Sequence, residues 1–251
     1  MKKAILPSMM EMGCFIGAVG GVIMNLKWGR LYKADSRDRK FLMHPDMKKA
    51  ERVPYRYWYI GQPLDQRDTP ACVGFSGYKY LTSGPVRNIK LPFSPNRLYV
   101  YAQENDEWPG EDYQGSSVRG LFKFFNKEGY TPKYQWTDKV ETLVAQILTV
   151  GPVVLGTDWY DGMLETDSKG FIKPTGRVLG GHAYLTFGAN QKQEKIAIIN
   201  SWGPKFGLNG RAWIRFDDMQ KLLDHDGECC IATEARLLAF LESLNLGSII
   251  A

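Results

Sequence analysis

The sequence predicts an α+β protein of two lobes, a helical one first and an antiparallel β lobe after it. Two patterns carry the prediction. Apolar residues recur at helical spacing between residues 69 and 149, and short apolar runs bounded by glycine replace them after Gly151-Pro152. Helices followed by strands, without alternation, do not build a parallel α/β sheet. The 251 residues, 44% hydrophobic and 24% charged, suffice for one large or two small cores and exclude a disordered or collagen-like chain.

Taken in order, the first element is the uncharged stretch from Met12 to Leu26, which holds four glycines. It is shorter than the roughly 20 apolar residues a membrane-spanning helix needs. Pro7 and Glu11 interrupt it as a signal peptide and no A-x-A site follows, which leaves a hairpin or a helix packed on the body. Thr69-Pro70 starts a helix, proline being preferred at the first helical position, and puts Cys72 in the first turn. Ser94-Pro95 opens a second helix with Leu98, Tyr99 and Ala102. Ser117 opens a third with Val118, Leu121, Phe122 and Phe125, stopped at Gly129. A fourth runs from Thr137 and buries Val140, Val144, Ile147 and Leu148. The strands follow at 153–155, 183–187, 196–199, 212–216 and 229–232, and the tail from Leu237 reads as a short helix with an apolar end.

Charge is unevenly spread. Residues 1–56 hold 12 basic and 5 acidic residues, a surplus of seven, whereas the remainder has 20 basic and 22 acidic ones. The basic pI thus describes an N-terminal arm, which is a solvated segment or an attachment element, and a nucleic-acid-binding body is not indicated. Four cysteines at 14, 72, 229 and 230 are too few for a disulfide scaffold and offer no CxxC pair for zinc. A reduced compartment, such as a cytoplasm or a virion, is the expectation, with Cys14, Cys229 and Cys230 as core thiols.

The chemistry gathers in three segments: DQRDTPACVGF at 65–75, GGHAY at 180–184 and NSWG at 200–203. A thiolate is a far better nucleophile than a thiol, and a helix N-terminus and a histidinium both lower a cysteine pKa. Cys72 has the first by position. His182 can take the thiol proton and return it to a leaving amine. Gly180 and Gly181 permit close backbone approach beside it. The Asn200 side-chain oxygen can fix the imidazole through its other nitrogen, and Trp202 can cover that bond. The Gln66 side-chain amide and the Cys72 N–H can serve as oxyanion donors. Asp158 and Asp161, beside Trp159 and Tyr160, read as turn formers without a catalytic part.

With Gln66, Cys72, His182 and Asn200 in that order, the sequence resembles the papain family of cysteine peptidases, closest in style to compact bacterial and bacteriophage members, over most of residues 57–235. The six-residue Gln-to-Cys spacing matches the family. The resemblance implies a papain-like two-lobe fold with the nucleophile at a helix N-terminus. It implies Cys72 as nucleophile, His182 as base and acid, Asn200 as orienting residue and Gln66 as oxyanion donor. By placement, Gly115, Ser116 and Ser117 resemble the segment that pairs with the substrate backbone, and Gly181 and Trp202 complete the expected substrate site. The partner is then a peptide or protein substrate, with no metal or organic cofactor. The implied domains are an extension at 1–56 partly packed on the body, a peptidase domain at 57–236 divided near residue 136, and a tail at 237–251.

The sequence also departs from the family. The C-G-[SA]-C-[WY] signature is mostly absent, Thr69, Pro70 and Val73 standing where its first cysteine, glycine and aromatic would be. His182 and Asn200 follow Cys72 by 110 and 128 residues, which implies trimmed loops. The 56 residues before Tyr57 are too short for a full inhibitory propeptide, so latency by a prodomain is not expected. Asp35-Ser36-Arg37-Asp38 is similar to a D-x-R-D element that opens many bacterial members. Two rival readings keep the fold and change the role: a hydrolase of cell-wall peptides, and a structural or binding component, as in a phage particle, with weak or no activity.

Overall fold

The computed structural model describes residues 15–19, 22–36, 40–85, 87–88, 90–108, 110, 113–131 and 133–233. The expected helix of the tail and Cys14 lie outside them. The stretch that fitted either a hairpin or a helix is an antiparallel pair, β1 (Phe15–Val19) and β2 (Val22–Leu26), in register from Phe15↔Leu26 to Val19↔Val22. A short helix, α1 (Met47–Glu51), and a three-residue strand, β3 (Tyr55–Tyr57), lead into the body.

Three helices form the first lobe: α2 (Cys72–Thr82), α3 (Pro95–Gln103) and α4 (Val118–Lys127). The serine caps act as the sequence predicts. Ser94 accepts from the Arg97 N–H at 3.2 Å and Ser117 from the Gly120 N–H at 2.8 Å. Helix α2 starts two residues later than Pro70, at Cys72, and its N-cap Ala71 makes no side-chain cap bond. Leu121, Phe122 and Phe125 of α4 are fully buried, with the Phe122 ring edge-on to Tyr80 of α2.

The second lobe is a seven-stranded antiparallel sheet in the order β4-β9-β5-β6-β7-β8, with β3 added on β6. Its strands are β4 (Lys133–Thr137), β5 (Val153–Tyr160), β6 (Val178–Asn190), β7 (Lys195–Ile199), β8 (Arg211–Arg215) and β9 (Glu228–Thr233). Helices α5 (Val140–Thr149) and α6 (Phe216–Asp224) pack with it. Every strand read from the sequence is present.

Two elements differ from the reading. Thr137 does not start α5: it ends β4, and its hydroxyl accepts from the N–H of Lys139, the residue before the helix. Strand β4 pairs Trp136 with Cys230 and Thr137 with Cys229, partners more than 90 residues away, and five residues carry too little periodicity to announce it. Phe216 leaves the β8 run to begin α6, whose Met219, Leu222 and Leu223 are buried at helical spacing. Cys229 and Cys230 are buried in β9 and form no disulfide among the described residues, as expected of core residues. Among the described residues no helix is long and apolar enough to cross a membrane.

Candidate active site

The two lobes meet where α2 packs on β6. The N–H of Ala183 lies 3.4 Å from the Cys72 sulfur, which puts His182, its neighbour on β6, beside the thiol. Strand pairing supplies the next partner. Leu185 of β6 is opposite Ile199 of β7, so Asn200, one residue past β7, returns alongside His182. His182 Nε2 is 2.8 Å from Asn200 Oδ1, which also accepts from the Ser201 N–H at 2.7 Å. Among the described residues, Nδ1 of His182 is buried and has no hydrogen-bond partner.

Gln66 joins the same cluster from the loop before α2. Its backbone N–H donates to the Ser201 carbonyl at 2.7 Å, and its Oε1 accepts from the Ser201 hydroxyl at 2.6 Å. Its Nε2 donates to Thr69 O at 2.8 Å and to Lys27 O at 3.4 Å. Trp202 packs on the imidazole with ring centroids 4.9 Å apart at 34°, and Trp159 stands edge-on at the same distance.

The cleft is filled by the chain's own residues 27–31. Arg30 N–H donates to Gly181 O at 3.0 Å, Leu31 N–H to Ser116 O at 2.8 Å, and Ser116 N–H to Gly29 O at 2.9 Å. This strap runs parallel to Ser116. The Gly29 N–H, with those of Ala183 and Val73, pulls the Cys72 thiol toward its ionised form. A Cβ at Gly29 would stand 1.8 Å from the Pro70 carbonyl oxygen; only glycine passes there. Trp28, buried, lies edge-on to both His182 and Trp202. A strap of a few residues thus lies over Cys72 and His182.

Burial reverses the electrostatics expected of the pair. Burial pushes the Cys72 thiol up to about 11, against the N–H groups of Ala183, Gly29 and Val73 and the charge of Arg30. Burial likewise pushes the His182 imidazole down to about 4, with the bond to Asn200 opposing. Removing water penalises the charged form of each group, and at neutral pH a thiol faces a neutral ring.

Of the expected site residues, the structure brings together Gln66, Cys72, His182, Asn200, Gly181 and Trp202, with Gly115 and Ser116 along the strap. Ser117 serves differently: its hydroxyl donates to Glu107 at 2.6 Å and caps α4. Trp28 and Arg30 were not singled out in the sequence, because isolated residues without periodicity or motif leave no local signal; Ser201 lay within the NSWG segment but was given no role. In the D-x-R-D element, Asp35 pairs with Arg119 of α4 at 3.6 Å, while Arg37 and Asp38 lie outside the described residues.

The model of the papain family cysteine proteases matches residues 97–238, a span that includes His182 and Asn200 and begins after Gln66 and Cys72. An uncharacterized peptidase C1-like protein of Acanthamoeba polyphaga mimivirus is 22% identical over 210 residues, 66% of each chain. A cathepsin B-like cysteine proteinase of Caenorhabditis elegans is 28% identical over 90 residues, 35% of this chain and 23% of that protein. The chain thus spans about two thirds or less of the length of these relatives. Among solved structures, xylellain, a cysteine protease from Xylella fastidiosa, superposes with a TM-score of 0.64 at 17% identity over 82% of this chain and 96% of its own. The bromelain protease from Ananas comosus in complex with the E64 inhibitor gives 0.56 at 15% identity, over 72% and 98%. At such identities the likeness is one of fold, and the fold is the two-lobe α+β architecture of these proteases. Because the family model matches more than half of the chain, this protein belongs to the papain family of cysteine proteases.

Proposed function

We propose that this protein is a cysteine endopeptidase that hydrolyses peptide bonds through a thioester acyl-enzyme. The observation that carries the reading is the 2.8 Å contact of His182 Nε2 with Asn200 Oδ1 on the strand whose Ala183 N–H lies 3.4 Å from the Cys72 sulfur at a helix N-terminus. Once the strap leaves, Cys72 gives its proton to Nδ1 and its sulfur attacks the substrate carbonyl carbon. Gln66 Nε2, which in the closed state donates to the Lys27 carbonyl, and the Cys72 N–H take the oxyanion. The C–N bond breaks as His182 returns the proton to the leaving amine. Water, activated by the same ring, then hydrolyses the thioester and restores the thiol. The reading takes residues 57–236 as the peptidase domain, its lobes divided near residue 136, and residues 1–56 as the extension that carries the strap.

The test is hydrolysis of a fluorogenic peptide mixture by the full chain and by Gly29→Ala, whose added methyl evicts the strap, together with mapping of the cysteine alkylated by iodoacetamide. Turnover is expected to vanish in Cys72→Ala and to fall at least about 1,000-fold in His182→Ala. Selective labelling of Cys72 should be lost in His182→Ala. A Cys72→Ala protein that still cleaves at the parent rate sinks the mechanism.

A further inference from the structure

Ser116 gives its backbone to the cleft and its side chain to the body. Its N–H and C=O pair with Gly29 and Leu31 of the strap, while its hydroxyl, on a fully buried residue, donates to Asp106 Oδ2 at 2.9 Å. The other oxygen of that carboxylate accepts from the Tyr113 hydroxyl at 2.7 Å and from the Trp108 N–H at 3.0 Å. One carboxylate therefore ties Tyr113 and Ser116, the two ends of the segment that lines the strap, to the end of α3.

Helix α3 supplies the rest of the hold. Tyr99 and Gln103 stand four residues apart, hence on one side of the helix, and the turn closed by the Asp106 N–H on the Gln103 carbonyl at 3.3 Å brings Asp106 in after them. The Tyr99 hydroxyl accepts from the Gly115 N–H at 2.8 Å, and Gln103 Nε2 donates to the carbonyls of Tyr113 and Gly115 at 3.1 Å each. Gly120 lets α4 close on this corner, since a Cβ there would stand 2.7 Å from Asp106 Cβ. Adjacent carboxylates thus take adjacent serines for different ends. Glu107 accepts from Ser117 at 2.6 Å and from Lys123 at 2.9 Å and so grips the start of α4, whereas Asp106 grips the cleft edge. Burial raises the half-buried Asp106 carboxyl, as does Glu107, and the bonds from Tyr113, the Trp108 N–H and Ser116 oppose them. Bonds to a carboxylate are stronger than neutral ones, and removing it would leave the Ser116 and Tyr113 hydroxyls without their acceptor.

We propose that Asp106 is a positioning residue of the cleft: through the Ser116 hydroxyl and Tyr113 it fixes the backbone N–H and C=O of Ser116 where they receive an extended chain, the strap in this structure and the substrate in the working enzyme. The substrate half rests on the peptidase reading; the strap half does not. The role is geometric, so asparagine can fill it, its oxygen accepting from Tyr113 and Trp108 and its amide donating to the Ser116 oxygen.

The experiment separates the two halves. Amide hydrogen exchange is followed by NMR in the full-length parent, Asp106→Ala and Asp106→Asn. In Asp106→Ala the amides of Ser116 and Leu31 should exchange at least about tenfold faster while that of Phe75 in α2 keeps the parent rate, and Asp106→Asn should restore both. In full-length Gly29→Ala, adding Asp106→Ala should raise KM at least about tenfold for peptides long enough to reach Ser116, and leave kcat and the hydrolysis of single-residue amides within about threefold. Ser116→Ala, which cuts the link from its other end, repeats both measurements if Asp106→Ala does not fold. Unchanged exchange at Ser116 and Leu31, or a loss that Asp106→Asn does not restore, overturns the proposal. Peptide hydrolysis with an unchanged KM also overturns it and leaves the peptidase reading standing. Faster exchange in Asp106→Ala, with no peptide hydrolysed by any variant, overturns the peptidase reading and upholds Asp106 as the residue that positions the edge.

Discussion

His182 divides its two ring nitrogens between a fixed partner and a working one. Nε2 is committed to Asn200, Nδ1 has no hydrogen-bond partner among the described residues, and the ring as a whole lies among Trp28, Trp159 and Trp202. An orienting residue acts through another group, so its loss is partial: Asn200→Ala should retain measurable turnover in steady-state assays, well above that of His182→Ala. Gln66→Ala removes a donor realised in the transition state and should lower kcat by about 10 to 1,000-fold with KM little changed. At this scale the motifs were legible, since Cys72, His182 and Asn200 sit in short recognisable contexts. The ring of tryptophans was not: Trp28 is more than 150 residues from His182 in the chain, and only packing joins them.

At the scale of elements, the strap of residues 27–31 covers the site. It holds on by three backbone hydrogen bonds to Gly181 and Ser116, by Trp28 against His182, and by the ion pair of Arg30 with Glu228. A methyl at Gly29 cannot be accommodated against the Pro70 carbonyl, which belongs to the rigid approach to α2. Gly29→Ala should therefore displace the strap and raise the rate of Cys72 alkylation at neutral pH at least tenfold, read by mass spectrometry of the labelled peptide; a rate equal to wild type would show the strap to be no barrier. Helices α3 and α4 were legible from their serine caps, and the longer strands from their apolar runs. Strand β4 was hidden because its stability comes from pairing with β9, and α6 because its first residue completes an alternating run that reads as strand.

For the molecule as a whole, the buried pair sets a pH window for the closed fold. His182 titrates at about 4 in place of its ordinary 6.5, so between those values the unfolded chain binds more protons and stability falls as the pH is lowered. Cys72 titrates at about 11 in place of 9.0, so between those values the unfolded chain loses its proton first and stability falls as the pH rises. Each group costs up to about 1.4 kcal/mol per pH unit across its own window. Urea midpoints should accordingly fall less steeply from pH 9 to 10.5 in Cys72→Ala than in wild type, and less steeply from pH 6.5 to 4.5 in His182→Gln. Equal slopes in variant and parent would mean that neither group is desolvated by the strap.

The sequence by itself determined the order of helical and strand-rich halves, the positions of most elements and the four polar residues that gather at the lobe interface. These depend on local periodicity, on caps and on short motifs, which neighbouring residues encode. Tertiary structure alone decided what occupies the cleft. The strap, the Arg30–Glu228 pair and the burial of Cys72 and His182 arise from residues far apart in the chain, and their pKa values follow from the water that packing excludes, a quantity no local pattern records.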